Sequence, residues 1–126
     1  MERQTTQRRT IRMVLEASPH PLAPHEILEA ARAIEPGMGL ATIYRTIKFL
    51  LEAGIISAVE ISGGTRFERA GKTPHAHFHC RECDRLYDIG LPQITARLPA
   101  PKGFRLEAQE VLLRGVCAEC TDQDQD

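Results

Sequence analysis

The sequence predicts an α+β fold, in which an N-terminal winged helix-turn-helix precedes a small α/β domain organised around four cysteines. Three observations carry this expectation. Apolar residues recur at helical spacing in three runs before Gly54. Two short strand-like segments follow at once, around Gly63-Gly64. Two Cys-x-x-Cys pairs then stand in the C-terminal half.

The first helical run carries Ile11, Val14 and Leu15, with Thr6 or Thr10 placed to cap it. The second starts near Pro24, a residue suited to a first helical turn, passes through Ile27, Leu28 and Ala31, and stops near Pro36-Gly37. In the third, Ile43, Ile47, Leu50 and Leu51 form a stripe that faces a core, and Gly54 closes the helix. Its opposite face presents Ala41, Thr42, Arg45 and Lys48, with Tyr44 at the edge. Ile55 to Ile61 and Arg66 to Glu68 flank a glycine turn and read as a hairpin, the wing. In such an arrangement the third helix enters a DNA major groove and the wing lies along the backbone.

Residues 70–74 have the composition of a hinge, dividing a domain at 1–69 from one at 75–126. In the second domain, Phe78 to Cys80 and Leu86 to Ile89 read as strands and Ile94 to Leu98 as a short helix. The alternation of Phe104, Leu106 and Ala108, followed by Val111 to Leu113, suggests further strand. With few large apolar groups, this half needs a metal, a partner subunit or both to fold.

A chain of 126 residues with 42% hydrophobic and 26% charged residues has the balance of a soluble globular protein, and it holds no apolar run long enough for a membrane span. Its start lacks the apolar core of a signal peptide, so a cytoplasmic location is expected. The formal net charge of -1 does not advertise nucleic acid. Local distribution does more: Arg3, Arg8, Arg9 and Arg12 crowd the start, whereas Asp122, Asp124 and Asp126 make the tail acidic.

Cys80-Arg81-Glu82-Cys83 and Cys117-Ala118-Glu119-Cys120 have the two-knuckle spacing of a tetrahedral thiolate zinc site, since two intervening residues let one turn aim both sulfurs at one ion. Four thiolates leave no open position, which points to a structural role. A thiol-disulfide enzyme would need one active pair rather than two symmetric ones. In a strand, His75, His77 and His79 project to one side and Cys80 to the other. Such imidazoles supply half a site for iron, manganese or zinc, and Glu68, Asp88, His20 or His25 are the candidates to complete it.

Taken together, Gly39-Leu40-Ala41-Thr42-Ile43-Tyr44-Arg45-Thr46-Ile47, Glu52-Ala53-Gly54-Ile55, His75 to Cys83, Gly115 to Cys120 and the opening Thr5-Thr6-Gln7-Arg8 resemble the ferric uptake regulator family over nearly the whole chain. The resemblance implies a homodimeric repressor with a winged helix hinged to an α/β dimerisation domain. It implies Cys80, Cys83, Cys117 and Cys120 as structural zinc ligands, and Glu68, His75, His77 and Asp88 as regulatory metal ligands. Pro21 stands where the family usually has a further histidine, with His20 one residue earlier, and His79 abuts the first knuckle. Tyr44 and Arg45 fall on base- and phosphate-contacting positions, so the candidate DNA contacts are Arg8, Ala41, Thr42, Tyr44, Arg45 and Lys48. A second regulatory site is expected to be absent, because Ala76, Thr95 and Gln109 replace its ligands. Glu68 stands where zinc-sensing relatives place a cysteine, and Asp88 resembles the aspartate of peroxide sensors.

The reading is a metal-dependent repressor of a palindromic double-stranded DNA operator, with Fe(2+) or Mn(2+) as effector and peroxide sensing as an added capacity. The rivals are a zinc uptake regulator, for which Zn(2+) would be the effector, and a DNA-binding module with only structural zinc. No nucleophile with a matching base points to an enzyme.

Overall fold

The computed structural model describes residues 2–73, 75–90 and 99–124. They divide into two compact units, Met1–Gly71 and Lys72–Asp126.

The first unit contains α1 (Glu2–Ala17), α2 (Pro24–Ile34), α3 (Leu40–Glu52), β1 (Ile56–Ile61) and β2 (Gly64–Arg69). Helix α1 begins well before either threonine expected to cap it. Thr6 and Thr10 are interior to the helix, and Thr10 is buried. The helix needs no cap there because Glu2 to Gln4 extend it with residues of good helical propensity. Helix α2 starts with Pro24 at its first turn, and the Glu26 carboxylate reaches back to accept from the Ala23 backbone N–H at 2.9 Å. Helix α3 ends in a Schellman motif: Gly54, at φ 72°, donates to Leu51 O at 3.0 Å, and Ile55 donates to Leu50 O at 2.9 Å. That left-handed turn is why a glycine follows the helix.

Ile11, Leu15, Ile27, Ala31, Met38, Ile43, Ile47, Leu50, Ile56 and Phe67 form one core cluster. Leu51 is not in it and is 36% exposed, while Thr46 is buried. The buried face of α3 is thus centred on Ile43, Thr46, Ile47 and Leu50, rotated slightly from the expected stripe. Strands β1 and β2 pair antiparallel from Ile56↔Arg69 to Ile61↔Gly64, leaving Ser62-Gly63 as a two-residue turn. Leu22 and Phe67 exchange backbone hydrogen bonds of 2.8 Å in each direction, which pins β2 to the segment before α2.

The second unit holds β3 (Ala76–Cys80), β4 (Leu86–Ile89), β5 (Leu112–Gly115) and the short α4 (Ala118–Asp124). Strand order is β4-β3-β5, with β3 antiparallel to β4 and parallel to β5. The strand expected through Phe104, Leu106 and Ala108 is absent among the described residues, and regular pairing begins only at Leu112. Phe104 and Ala108 are exposed and Leu106 is half-buried, so among the described residues the alternation does not form a buried face. The helix expected over Ile94–Leu98, Thr95 within it, and Pro74 of the expected hinge lie outside the described residues. No helix among the described residues is long and apolar enough to cross a membrane.

The first unit carries its own apolar core, so a core truncation there acts without touching the cysteines. Ile43→Ala should lower the stability of the first unit by about 2 to 5 kcal/mol in urea unfolding, with zinc content unchanged.

Candidate metal centres and nucleic-acid interface

The parallel register of β3 and β5 brings the two cysteine pairs together. Cys80 is aligned with Gly115, and Arg81 donates to Gly115 O at 2.8 Å, so the chain after β5 turns into Cys117 beside the first knuckle. Gly115 fits closely at that crossing, because a Cβ there would stand 3.1 Å from the Phe78 ring. The first knuckle closes tightly: Asp84 adopts φ 65° and donates to Cys80 O at 2.9 Å, and Cys80 donates to Arg85 O at 3.1 Å.

The ligand atoms of Cys80, Cys83, Cys117 and Cys120 all lie within 4.8 Å of one another, and none is in a disulfide. Cys83 Sγ and Cys117 Sγ are 3.8 Å apart. Two sulfurs about 2.3 Å from one tetrahedral ion stand about 3.8 Å apart, so the spacing fits zinc and is far too long for a disulfide bond. Cys80 is fully buried, which by itself raises its thiol. The backbone N–H groups of Cys83 and Cys117, at 3.5 and 3.3 Å from its sulfur, outweigh burial and bring it from 9.0 down to about 6. Cys117 is lowered, first by the Tyr87 hydroxyl hydrogen bond and then by the Cys120 backbone. Burial raises Cys83, and the hydrogen bond with Cys117 pushes Cys120 up to about 12. Neighbouring donors thus favour the thiolate form at Cys80 and Cys117, and a bound dication would require all four sulfurs as thiolates.

The second cluster lies on the same sheet. His77 and Asp88 are direct partners across the β3–β4 ladder. His77 Nε2 and His75 Nε2 each stand 3.4 Å from Asp88 Oδ1, and 3.0 Å from one another. The ring Nδ1 of His75 donates to Thr73 O at 2.7 Å, leaving Nε2 with a lone pair directed at the cluster. Ligands of one ion at about 2.1 Å stand roughly 3.0 to 3.4 Å apart in octahedral or tetrahedral geometry, so these three side chains fit a shared cation. The donors are imidazole and carboxylate without thiolate, a set that suits divalent cations such as iron, manganese or zinc.

Other candidates separate from this group. His79 pairs with Asp84 at 2.7 Å and belongs to neither cluster. His20 likewise belongs to neither, and its backbone is tied to Ser18 Oγ. Ala76 is fully buried and Gln109 half-buried. In the first unit, Glu68 is 5% exposed near the end of β2, a depth that charged side chains reach only with partners. Lys72, which donates to Asp88 Oδ2 at 2.6 Å, and Tyr87, which holds Cys117, have no motif signature. Their roles rest on contacts with residues distant in sequence.

On α3, Tyr44 is 54% exposed, Ala41, Arg45 and Lys48 are exposed and Thr42 half-exposed. Arg45 donates to Thr42 Oγ1 at 3.1 Å, which holds its guanidinium along the helix face. Arg8, from α1, is half-buried and stacks 3.9 Å above the Phe49 ring, a cation–π contact that ties α1 to α3.

A three-helix unit with a wing and an open polar helix face, carried on a chain with a thiolate cluster and an imidazole-carboxylate cluster, defines a metal-binding DNA-binding regulator. The profile of the Ferric uptake regulator family matches residues 2–114. The ferric uptake regulation protein of Campylobacter jejuni is 30% identical over 125 residues, covering 94% of this chain and 80% of its own. The peroxide-responsive repressor PerR of Staphylococcus aureus is 31% identical over 125 residues, covering 94% and 82%. A solved zinc-bound manganese uptake regulator superposes with a TM-score of 0.77 at 29% identity, covering 88% of this chain and 87% of that one. The chain belongs to the ferric uptake regulator family, and is thus a metal-responsive transcription regulator rather than an enzyme.

The thiolate cluster is expected to hold the second unit together. Cys83→Ser should abolish stoichiometric zinc, measured by elemental mass spectrometry, and remove the cooperative unfolding transition of the second unit. Retention of both would contradict a structural thiolate site.

Proposed function

We propose that the chain is a metal-dependent repressor that binds a palindromic operator as a homodimer in the cytoplasm. Its effector is iron or manganese, and its zinc is structural. The observation that carries this is the separation of two chemically different clusters on one sheet. The four-thiolate cluster is coordinatively closed, whereas His75, His77 and Asp88 leave positions for further ligands. A dication there needs additional donors. Glu68, from the wing, is the fourth ligand in this reading, and His20 is the candidate for a fifth. Residues 1–69 act as the DNA-reading domain, 70–74 as the hinge and 75–126 as the dimerisation domain.

Binding across the hinge gives the metal a differential affinity for one arrangement of wing and sheet, which is what a ligand needs in order to shift an equilibrium. In that arrangement α3 enters the major groove. Arg45 suits guanine O6 and N7, Tyr44 packs against a thymine methyl, and Arg8, Ala41, Thr42 and Lys48 contribute to the surrounding surface. A two-fold dimer presents two such helices, hence a palindrome. The relation to PerR adds peroxide sensing to the reading. With ferrous iron held there, hydrogen peroxide would transfer one oxygen atom to the His75 or His77 ring and leave as water, and the loss of that ligand would release the operator.

Fluorescence anisotropy on operator DNA tests this with zinc-loaded protein. Mn(2+) or anaerobic Fe(2+) should be required for tight binding, and His77→Ala or Asp88→Ala should raise the metal concentration needed by more than about tenfold. Peroxide should add the mass of one oxygen to the peptide bearing His75 and His77 in the Fe(2+) form and leave the Mn(2+) form intact. Metal-independent operator binding would overturn the reading.

A further inference from the structure

Asp88 divides its two oxygens between opposite kinds of neighbour. Oδ1 stands 3.4 Å from each imidazole Nε2, while Oδ2 accepts from Lys72 Nζ at 2.6 Å. Neither member of the ion pair is a surface group, since the Lys72 side chain is 10% exposed and that of Asp88 18%. Lysine ordinarily extends its flexible stem so that the ammonium stays in water. Here the ammonium is drawn inward, against the carboxylate that faces His75 and His77. All four residues belong to the second unit.

We propose that Lys72 acts as a resident competing cation beside the regulatory metal site, engaging Asp88 Oδ2 and raising the metal concentration at which the regulator responds. The inference rests on the reading of His75, His77 and Asp88 as that site.

Two physical effects follow from the same contact. With Oδ2 engaged by the ammonium, Asp88 offers the ion one oxygen rather than two, and an oxygen whose negative charge is already shared. An incoming dication also meets a fixed positive charge across a single carboxylate, where partial burial reduces screening by water and salt. Both effects weaken binding, and both are removed with the lysine. Arginine at this position would keep the charge and the donor. Lys72 therefore lets a chelating ligand set respond to a higher level of free metal without any change in its ligands.

The test is competition of Mn(2+) between the full-length, zinc-loaded protein and a chromophoric chelator. Lys72→Met should bind Mn(2+) about tenfold tighter than the natural sequence, and should bring half-maximal operator binding to a correspondingly lower Mn(2+) concentration. Lys72→Arg should stay within about threefold of the natural sequence, since its charge is retained. A damaged fold weakens metal binding and does not tighten it, so a gain of affinity reports the removed competitor. If Lys72→Met binds Mn(2+) equally or more weakly while Asp88→Ala loses binding, the competing-cation proposal is wrong and the site reading stands. If Asp88→Ala binds Mn(2+) as the natural sequence does, the site is elsewhere and both fall.

Discussion

The convergence of four sulfurs at the ends of β3 and β5 is the constraint on which the second unit depends. Its buried apolar residues, among those described, are Ala76, Cys80, Leu86 and Cys117, so half of that set are themselves members of the cluster. So small a core cannot offset the conformational entropy of ordering its strands without a further staple. A dication bound by four thiolates supplies one, because the ligands exist as a site only in the folded unit and the binding free energy becomes folding free energy. The first unit, with ten residues in a continuous apolar cluster, has no such need.

The same strand that ends in Cys80 carries His77 of the second cluster, so the two clusters share one scaffold. Aligning Cys80 with Gly115, with the Arg81 N–H donating to Gly115 O, fixes the register of β3 on β5, and β3 in turn sets His77 opposite Asp88. The two sites nevertheless differ in chemistry. Thiolates, two of them pre-lowered by backbone or phenolic donors, retain a borderline soft ion with no vacant position. The second site offers imidazoles and a carboxylate, and Lys72 already engages one carboxylate oxygen. In the proposed reading, the exchangeable ion belongs in the second site.

Much of the scaffold was legible in the sequence because it rests on local rules. Pro24 and Gly54 mark real helix ends, Ser62-Gly63-Gly64 makes the turn of the wing, and the cysteine spacing foretold the cluster. What escaped depends on partners distant in sequence. Thr6 and Thr10 have the chemistry of caps, yet the helix continues through them because nothing upstream breaks it. Phe104, Leu106 and Ala108 alternate as a strand would, but alternation without a buried face does not make one. His79 shares its spacing with His75 and His77, and is diverted by Asp84 in the left-handed position of the knuckle. Lys72, before β3, and Tyr87, on β4, matter through partners distant in sequence, which no single-residue pattern carries.

The central claim is that one metal holds the fold and another controls DNA binding. Treating the fully loaded protein with a moderate chelator, while following zinc content, far-ultraviolet circular dichroism and operator anisotropy on one sample, tests it directly. Operator binding should be lost with zinc and secondary structure retained, and Mn(2+) or Fe(2+) should restore it. Loss of operator binding only in step with zinc and secondary structure would contradict the account.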